Sequence, residues 1–111
     1  MNYNGKIFRV VSNSDNGETS INLVFEYIQK GNVLTCEYSG EQIIQGQLIG
    51  LVSEEGIINM SYQQVNDRNE MKTGICTSTP EVLDNGKIRL QEKWEWTSGN
   101  KSKGRSTLDE I

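Results

Sequence analysis

The residues with the clearest chemical potential are a carboxylate and two indoles close together in the last quarter of the chain. Glu92 lies between Leu90 and Trp94, and strand alternation places these side chains, with Trp96, on one inner face. A buried carboxylate requires a partner or a raised pKa. Glu92 is therefore a candidate polar anchor, or acid, inside a ligand cavity. The alternatives are an ion pair with an arginine or lysine, or a local bulge that turns the side chain outward.

The aromatic residues allow two interpretations, a packed core or the wall of a pocket. Trp94 and Trp96 face the same way because they are two residues apart in a strand. Gly46 and Gly50 are the small residues expected opposite them, as in small barrels that pair large with small side chains. Buried tyrosines need hydrogen-bond partners, and they serve as core, rim or ligand donors. The candidate ligand-binding set is Glu92, Trp94, Trp96, Tyr27, Tyr38 and Tyr62.

Several kinds of catalytic and metal chemistry have no support in this sequence. The chain contains no histidine, the usual general base and a partner of nucleophilic serine or cysteine. Cys36 and Cys76 alone do not make a four-ligand zinc site. We expect them to be small core residues, with a bridge between strands as the alternative. We predict no catalytic residue, no metal site and no bound cofactor.

Charge and hydropathy limit the partners. The net charge of -4 argues against general binding of polyanions. Six of the eleven basic residues nevertheless cluster near the tryptophans: Lys87, Arg89, Lys93, Lys101, Lys103 and Arg105. The basic residues of that strand alternate with the indoles, so a solvated outer face is favoured over a nucleic-acid surface. We expect no membrane span and, because the N-terminus lacks a secretion signal, a cytoplasmic location.

The whole chain, residues 1–111, is predicted to fold as one all-β domain. Eight short segments alternate apolar and polar residues, and hairpin turns such as Asp15-Asn16-Gly17 and Asp84-Asn85-Gly86 separate them. Neighbouring segments should pair as a single antiparallel up-and-down meander. Closure into a small calycin-like barrel would remove both sheet edges and bury the apolar face.

The inner face is predicted strand by strand from residue parity. In the second strand it carries Thr19, Ile21, Leu23, Phe25 and Tyr27, and in the fourth Ile44, Gly46, Leu48, Gly50 and Val52. The sixth strand, about residues 71–79, is expected to end at Pro80, which cannot donate to a ladder. Five apolar residues fall on outer faces and suggest a homodimer interface: Val24, Ile28, Ile43, Ile49 and Leu51.

Several recurrent stretches resemble a set of small bacterial proteins that carry the label N-acetylglutamate synthase. The resemblance covers the whole chain and includes Gly31-Asn32-Val33-Leu34-Thr35, Gly46-Gln47-Leu48-Ile49-Gly50-Leu51, Thr73-Gly74-Ile75-Cys76, Ser78-Thr79-Pro80-Glu81, Gly86-Lys87-Ile88-Arg89-Leu90 and Trp94-Glu95-Trp96-Thr97-Ser98-Gly99. That label implies acetyl transfer. The nearest match to a coenzyme A turn, residues 47–52, ends in valine inside a predicted strand. In architecture the chain resembles lipocalin, fatty-acid-binding and avidin barrels.

Three functions therefore remain open at the level of sequence. The first is non-catalytic binding of a small apolar or amphipathic ligand, with Trp94, Trp96 and Tyr27 as apolar wall and Glu92 as polar contact. The second is an enzyme, either an acetyltransferase or one that uses carboxylates and tyrosines. The third is an interaction protein that dimerises through an outer sheet face.

Overall fold

The computed structural model describes residues 1–14 and 23–111. The Asp15-Asn16-Gly17 turn and the inward positions predicted for Thr19 and Ile21 lie outside these residues. Within them the chain forms nine strands: β1 (Ile7–Asn13), β2 (Val24–Glu26), β3 (Ile28–Lys30), β4 (Val33–Gly40), β5 (Ile43–Val52), β6 (Ile58–Asn66), β7 (Met71–Val82), β8 (Ile88–Trp96) and β9 (Lys103–Glu110). No helix suited to crossing a membrane occurs in this part of the chain.

The strands form one antiparallel meander that wraps into a nearly closed barrel, which confirms the predicted fold class. The order in the sheet is β2-β1-β9-β8-β7-β6-β5-β4-β3. The predicted second strand is two strands because the chain changes neighbour at Tyr27. β2 pairs with β1 and β3 pairs with β4. Between them, the Tyr27 amide donates to the Lys6 carbonyl at 2.9 Å and the Tyr27 carbonyl accepts from the Gly5 amide at 2.9 Å.

One end of the barrel is filled by apolar side chains and closed by the N-terminal segment. Phe8, Leu34, Ile58 and Leu90 are completely buried there. Tyr3 is also completely buried, and its hydroxyl donates to the Gly56 carbonyl at 2.5 Å. Burial of so much apolar surface is the main stabilising contribution in a domain of this size. This packed end leaves only the opposite half of the interior for a cavity.

The predicted inner face of the fourth strand is wrong at its first residue. Ile44 is 59% exposed, whereas Ile43, which was predicted to lie outside, is 2% exposed. The cause is a register shift in β5 between Ile43 and Gln45, which inserts one extra residue and reverses the alternation before it. Gly46, Leu48, Gly50 and Val52 beyond the shift face inward as expected.

Pro80 does not end its strand as predicted. β7 continues to Val82, and Pro80 lies opposite Leu90 of β8. The pairing of β7 with β6 stops at Ser78, opposite Ile58. On that side residues 79–82 have no ladder to join, so the missing amide hydrogen of proline is tolerated as it is at a sheet edge.

The outer face carries the basic cluster and most of the predicted apolar patch. Arg89 forms two short contacts with Asp109, at 2.7 and 3.0 Å, and Lys103 lies 3.8 Å from Glu95. Val24, Ile28, Ile49 and Leu51 are 44–58% exposed, so four of the five apolar residues predicted outside do face solvent.

Candidate functional site

A cavity of about 60 Å³ lies inside the open half of the barrel. All six residues of the predicted ligand-binding set line it: Tyr27, Tyr38, Tyr62, Glu92, Trp94 and Trp96. Phe25, Met60 and Leu48 add further apolar wall. Strand alternation brings most of these residues together on the inner face of the sheet, and Tyr27 joins them from the junction between β2 and β3. Their role in binding remains a prediction.

Three of the aromatic rings reach the cavity by lying across a glycine of the next strand. Tyr38 covers Gly46, Tyr62 covers Gly74 and Trp94 covers Gly104, so a β-carbon at any of these glycines would overlap the ring. The prediction that Gly46 and Gly50 lie opposite the tryptophans is therefore wrong. Gly50 packs instead against Ile58 and Met60. Large and small residues do alternate around the wall, but between adjacent strands.

The rings also pack on one another and form a continuous aromatic surface. The ring centroids of Trp94 and Trp96 are 5.9 Å apart, and those of Tyr62 and Trp96 are 5.5 Å apart with nearly perpendicular planes. Tilted and edge-to-face arrangements of this kind are the favourable ones for aromatic pairs. At the rim, the Lys72 ammonium lies 5.3 Å from the Trp96 ring centroid. The wall is therefore well ordered by its own contacts.

Glu92 faces the interior and has a hydroxyl rather than a positive charge as its partner. The Ser78 hydroxyl donates to Glu92 Oε2 at 3.0 Å, and no ion pair joins Glu92 to a basic residue in the described part of the chain. Burial raises the pKa of Glu92 from its ordinary 4.5 to about 7, and the Ser78 hydrogen bond opposes that shift. Both the ion pair and the outward bulge considered for this residue are thereby ruled out.

A second polar network was missed by the sequence analysis. The Trp94 indole nitrogen donates to the Ser106 hydroxyl at 2.8 Å, and that hydroxyl donates to Asn13 Oδ1 at 2.7 Å. On another wall, the Tyr38 hydroxyl donates to Gln64 Oε1 at 2.9 Å. Ser78 and Ser106 occupy inward positions of β7 and β9, the two strands whose alternation is weakest in the sequence. Both serines lie directly opposite Glu92 in the adjacent strands, so they could be identified only once the strand register was known.

Burial keeps both cysteines and two of the tyrosines of the interior neutral at physiological pH. Burial raises the pKa of the Cys36 thiol to about 12 and raises that of Cys76 still further. Both cysteines are free and buried, as expected for small core residues. Burial, together with the charge of Glu92, raises the pKa of Tyr27 and Tyr62. The pocket thus combines an aromatic wall with one group that can ionise near neutral pH.

These features define a small antiparallel β-barrel that is packed at one end and has an aromatic-lined pocket at the other. A family model described as Avidin-like protein matches residues 1–111, and the chain belongs to this family. No curated protein and no solved structure matches the chain. The family match agrees with the avidin-type architecture expected from the sequence. It gives no support to the N-acetylglutamate synthase label.

Proposed function

We propose that the protein binds a small apolar or amphipathic molecule inside the barrel and does not act on it chemically. The observation that carries the proposal is the interior cavity, whose wall holds six aromatic rings and one carboxylate. Ligand sites are typically concave and mostly apolar, with a few well-placed polar groups. Trp94, Trp96 and Tyr27 would supply apolar contact, and Glu92 would supply the polar contact.

The size of the cavity restricts the ligand. An apolar cavity of about 150 Å³ is known to hold benzene, and this one measures about 60 Å³. We therefore propose that the part of the ligand inside the cavity has only a few non-hydrogen atoms. Membership of the avidin-like family supports a barrel suited to small ligands, while the identity of the ligand must come from the site itself.

A fluorescence titration tests the binding proposal directly. The chain has two tryptophans, and both line the cavity, so the emission of the protein reports on the pocket. We expect a saturable change in emission with small alcohols, amines and acids. Compounds whose chains are too long for the cavity should give no such change. Cys76→Leu, which adds side-chain volume inside the wall, should weaken binding at least about tenfold, because overfilled interiors resist further groups.

The matched control is Ile75→Leu, at the neighbouring position that faces solvent. Ile75 is 47% exposed, so this change should leave the titration unaltered. Equal affinity in both variants, or no saturable response to any compound, would contradict the proposal.

A second candidate function is self-association through the outer sheet face. Ile28, Ile49 and Ile75 fall in one row across β3, β5 and β7 because each pairs with the intervening Thr35 or Ser61. Exposed apolar rows of this kind are typical of interfaces. We expect a concentration-dependent dimer in sedimentation equilibrium that Ile49→Lys abolishes and Val82→Lys, outside the row, does not. A wild-type protein that stays monomeric at millimolar concentration would exclude this candidate.

The acetyltransferase alternative gains no support. Residues 47–52, the nearest sequence match to a coenzyme A turn, form the second half of β5. Their backbone pairs with β4 and β6 on both sides, so it is not free to hold a pyrophosphate.

A further inference from the structure

The carboxylate inside the pocket lacks a positive counter-charge. None of the residues lining the cavity is a lysine or an arginine, and the chain has no histidine. Ser78 donates to Glu92 Oε2, but within residues 1–14 and 23–111 no hydrogen bond reaches Oε1. Glu92 keeps some contact with solvent. A carboxylate that is largely removed from water without a positive partner is nevertheless unfavourable, and a ligand of opposite charge relieves that cost.

The other charged and titratable groups around Glu92 do not neutralise it. Tyr27, Tyr62 and Cys76 line the same cavity as Glu92, and burial keeps them uncharged at neutral pH. Lys93 and Arg105 line an outer groove that also reaches Glu92 and Ser106, yet neither forms an ion pair with the carboxylate. Lys72 lies at the rim, over the Trp96 ring.

The aromatic wall favours the same kind of ligand. The faces of tryptophan and tyrosine rings carry negative charge density and attract cations within about 6 Å, most strongly where water is excluded. Lys72 already makes such a contact with Trp96, at 5.3 Å from the ring centroid. Aromatic enclosures are known to hold organic ammonium ions, and a carboxylate in the wall adds a charged partner for the nitrogen.

We infer that the pocket selects a small organic cation, an alkylammonium ion whose charged nitrogen lies against Glu92 and whose alkyl part packs on the indoles. This inference rests on the proposed ligand-binding function and specifies the chemical class of the ligand. A carboxylate-bearing ligand is disfavoured by repulsion from Glu92, and a neutral one leaves the negative charge uncompensated. The net charge of -4 further favours the approach of a cation.

Three compounds of matched shape test the inference: propylammonium, 1-propanol and propionate, each titrated at pH 8 with tryptophan emission as the readout. We expect propylammonium to bind at least about tenfold more tightly than 1-propanol, and propionate to bind least. Glu92→Gln keeps the shape of the side chain and removes its charge, so it should abolish the preference for the ammonium ion. Glu95→Gln, on the outer face of the same strand, should retain the preference.

The pH dependence supplies an independent readout. Propylammonium stays charged between pH 6 and pH 8, whereas the pKa of Glu92 is about 7. Lowering the pH across that range protonates the carboxyl group, and the affinity for propylammonium should fall about tenfold. The affinity of Glu92→Gln should not change. A bound ammonium ion should likewise lower the pKa of Glu92, observable as a shift of its carboxyl ¹³C titration.

Each outcome separates the inference from the function on which it rests. Tight binding of 1-propanol or propionate, with weaker binding of the ammonium ion, overturns the inference and leaves ligand binding in place. Affinity for a neutral compound that rises as the pH falls would show instead that the protonated carboxyl group acts as a hydrogen-bond donor. Absence of binding for the whole series overturns both.

Discussion

Replacing Glu92 with glutamine is expected to raise the free energy of unfolding at pH 8 by about 2 kcal/mol. The pKa of Glu92 is about 7 in the folded protein, against an ordinary 4.5. Each unit of difference corresponds to about 1.4 kcal/mol, and we reduce the total because the residue keeps some contact with solvent. Glutamine can still accept the hydrogen bond from Ser78 without bringing a charge into the barrel.

The sign of the effect follows from proton linkage. Below pH 4.5 the carboxyl group is protonated in both the folded and the unfolded chain, so it costs no stability. As the pH rises towards 7, the unfolded chain releases the proton and the folded chain retains it, and stability is lost. Above pH 7 the loss is complete. The gain from Glu92→Gln should therefore be near zero at pH 4 and largest above pH 7.

Urea unfolding of the wild type and the variant at several pH values measures this gain. Glu95→Gln is the matched control, because Glu95 lies on the outer face of the same strand, 3.8 Å from Lys103. Exposed ion pairs contribute little, so this change should stay within about 0.5 kcal/mol at every pH. A variant with glutamine at position 92 that is no more stable than the wild type at pH 8 would show that the carboxylate is better solvated than its surroundings indicate.

A group that lowers stability and persists at the centre of a pocket is typical of a functional residue. Local departures from the most stable choice tend to occur at sites where they serve binding or chemistry. Glu92 fits this description because no positive partner offsets its burial within the described residues. The unfolding experiment measures what the Glu92 carboxylate costs in stability, and the ligand titrations measure what it contributes to binding.

Gly104→Ala is expected to lower the free energy of unfolding by about 3 kcal/mol. A β-carbon at this position would overlap the Trp94 ring and the Ser14 hydroxyl. Overfilling a packed interior costs about 1–3 kcal/mol. Displacing the indole would also break its hydrogen bond to Ser106, which costs about a further 1 kcal/mol. Unfolding in urea should show the loss, and the tryptophan emission of the folded variant should shift to longer wavelength.

A double-mutant cycle with Trp94→Leu isolates the steric cause. Once the indole is replaced by a smaller side chain, the added methyl group still meets the Ser14 hydroxyl, which can turn away by rotation about one bond, but it no longer meets a ring. Gly104→Ala should then cost less than about 1 kcal/mol, and the difference between the two backgrounds measures the coupling between ring and glycine. An equal cost in both backgrounds would place the effect in the backbone or in the contact with Ser14 rather than in the contact with Trp94.

The alternation of apolar and polar residues was sufficient to predict the fold class and to predict which site residues share the inner face. Leu90, Glu92, Trp94 and Trp96 alternate without interruption along β8, so their common inward direction could be predicted from the sequence. Parity fails where a residue is inserted, as at Ile43 and Ile44. The extra residue is defined by how β5 pairs with β6, and that pairing was not known from the sequence.

Two other features depended on neighbours that the sequence does not specify. The division of the second strand at Tyr27 arises from barrel closure, since that segment must pair with β1 on one side and β4 on the other. Ser78 became visible as the partner of Glu92 only once the β7–β8 register was known. The volume of the cavity depends on how the aromatic rings pack over the glycines of the next strands, and residue alternation does not predict that packing.

Closure of the barrel between β1 and β9 has a consequence for folding. β1 pairs with β9, and Phe8 lies opposite Glu110. This ladder cannot form until β2 to β8, which lie between the two strands in the sequence, have been synthesised. Contacts between such distant positions in a chain make folding slow, on the order of milliseconds to seconds for all-β domains. Until they form, β1 and β9 are both unprotected edges, so the pocket is complete only after these two strands have paired.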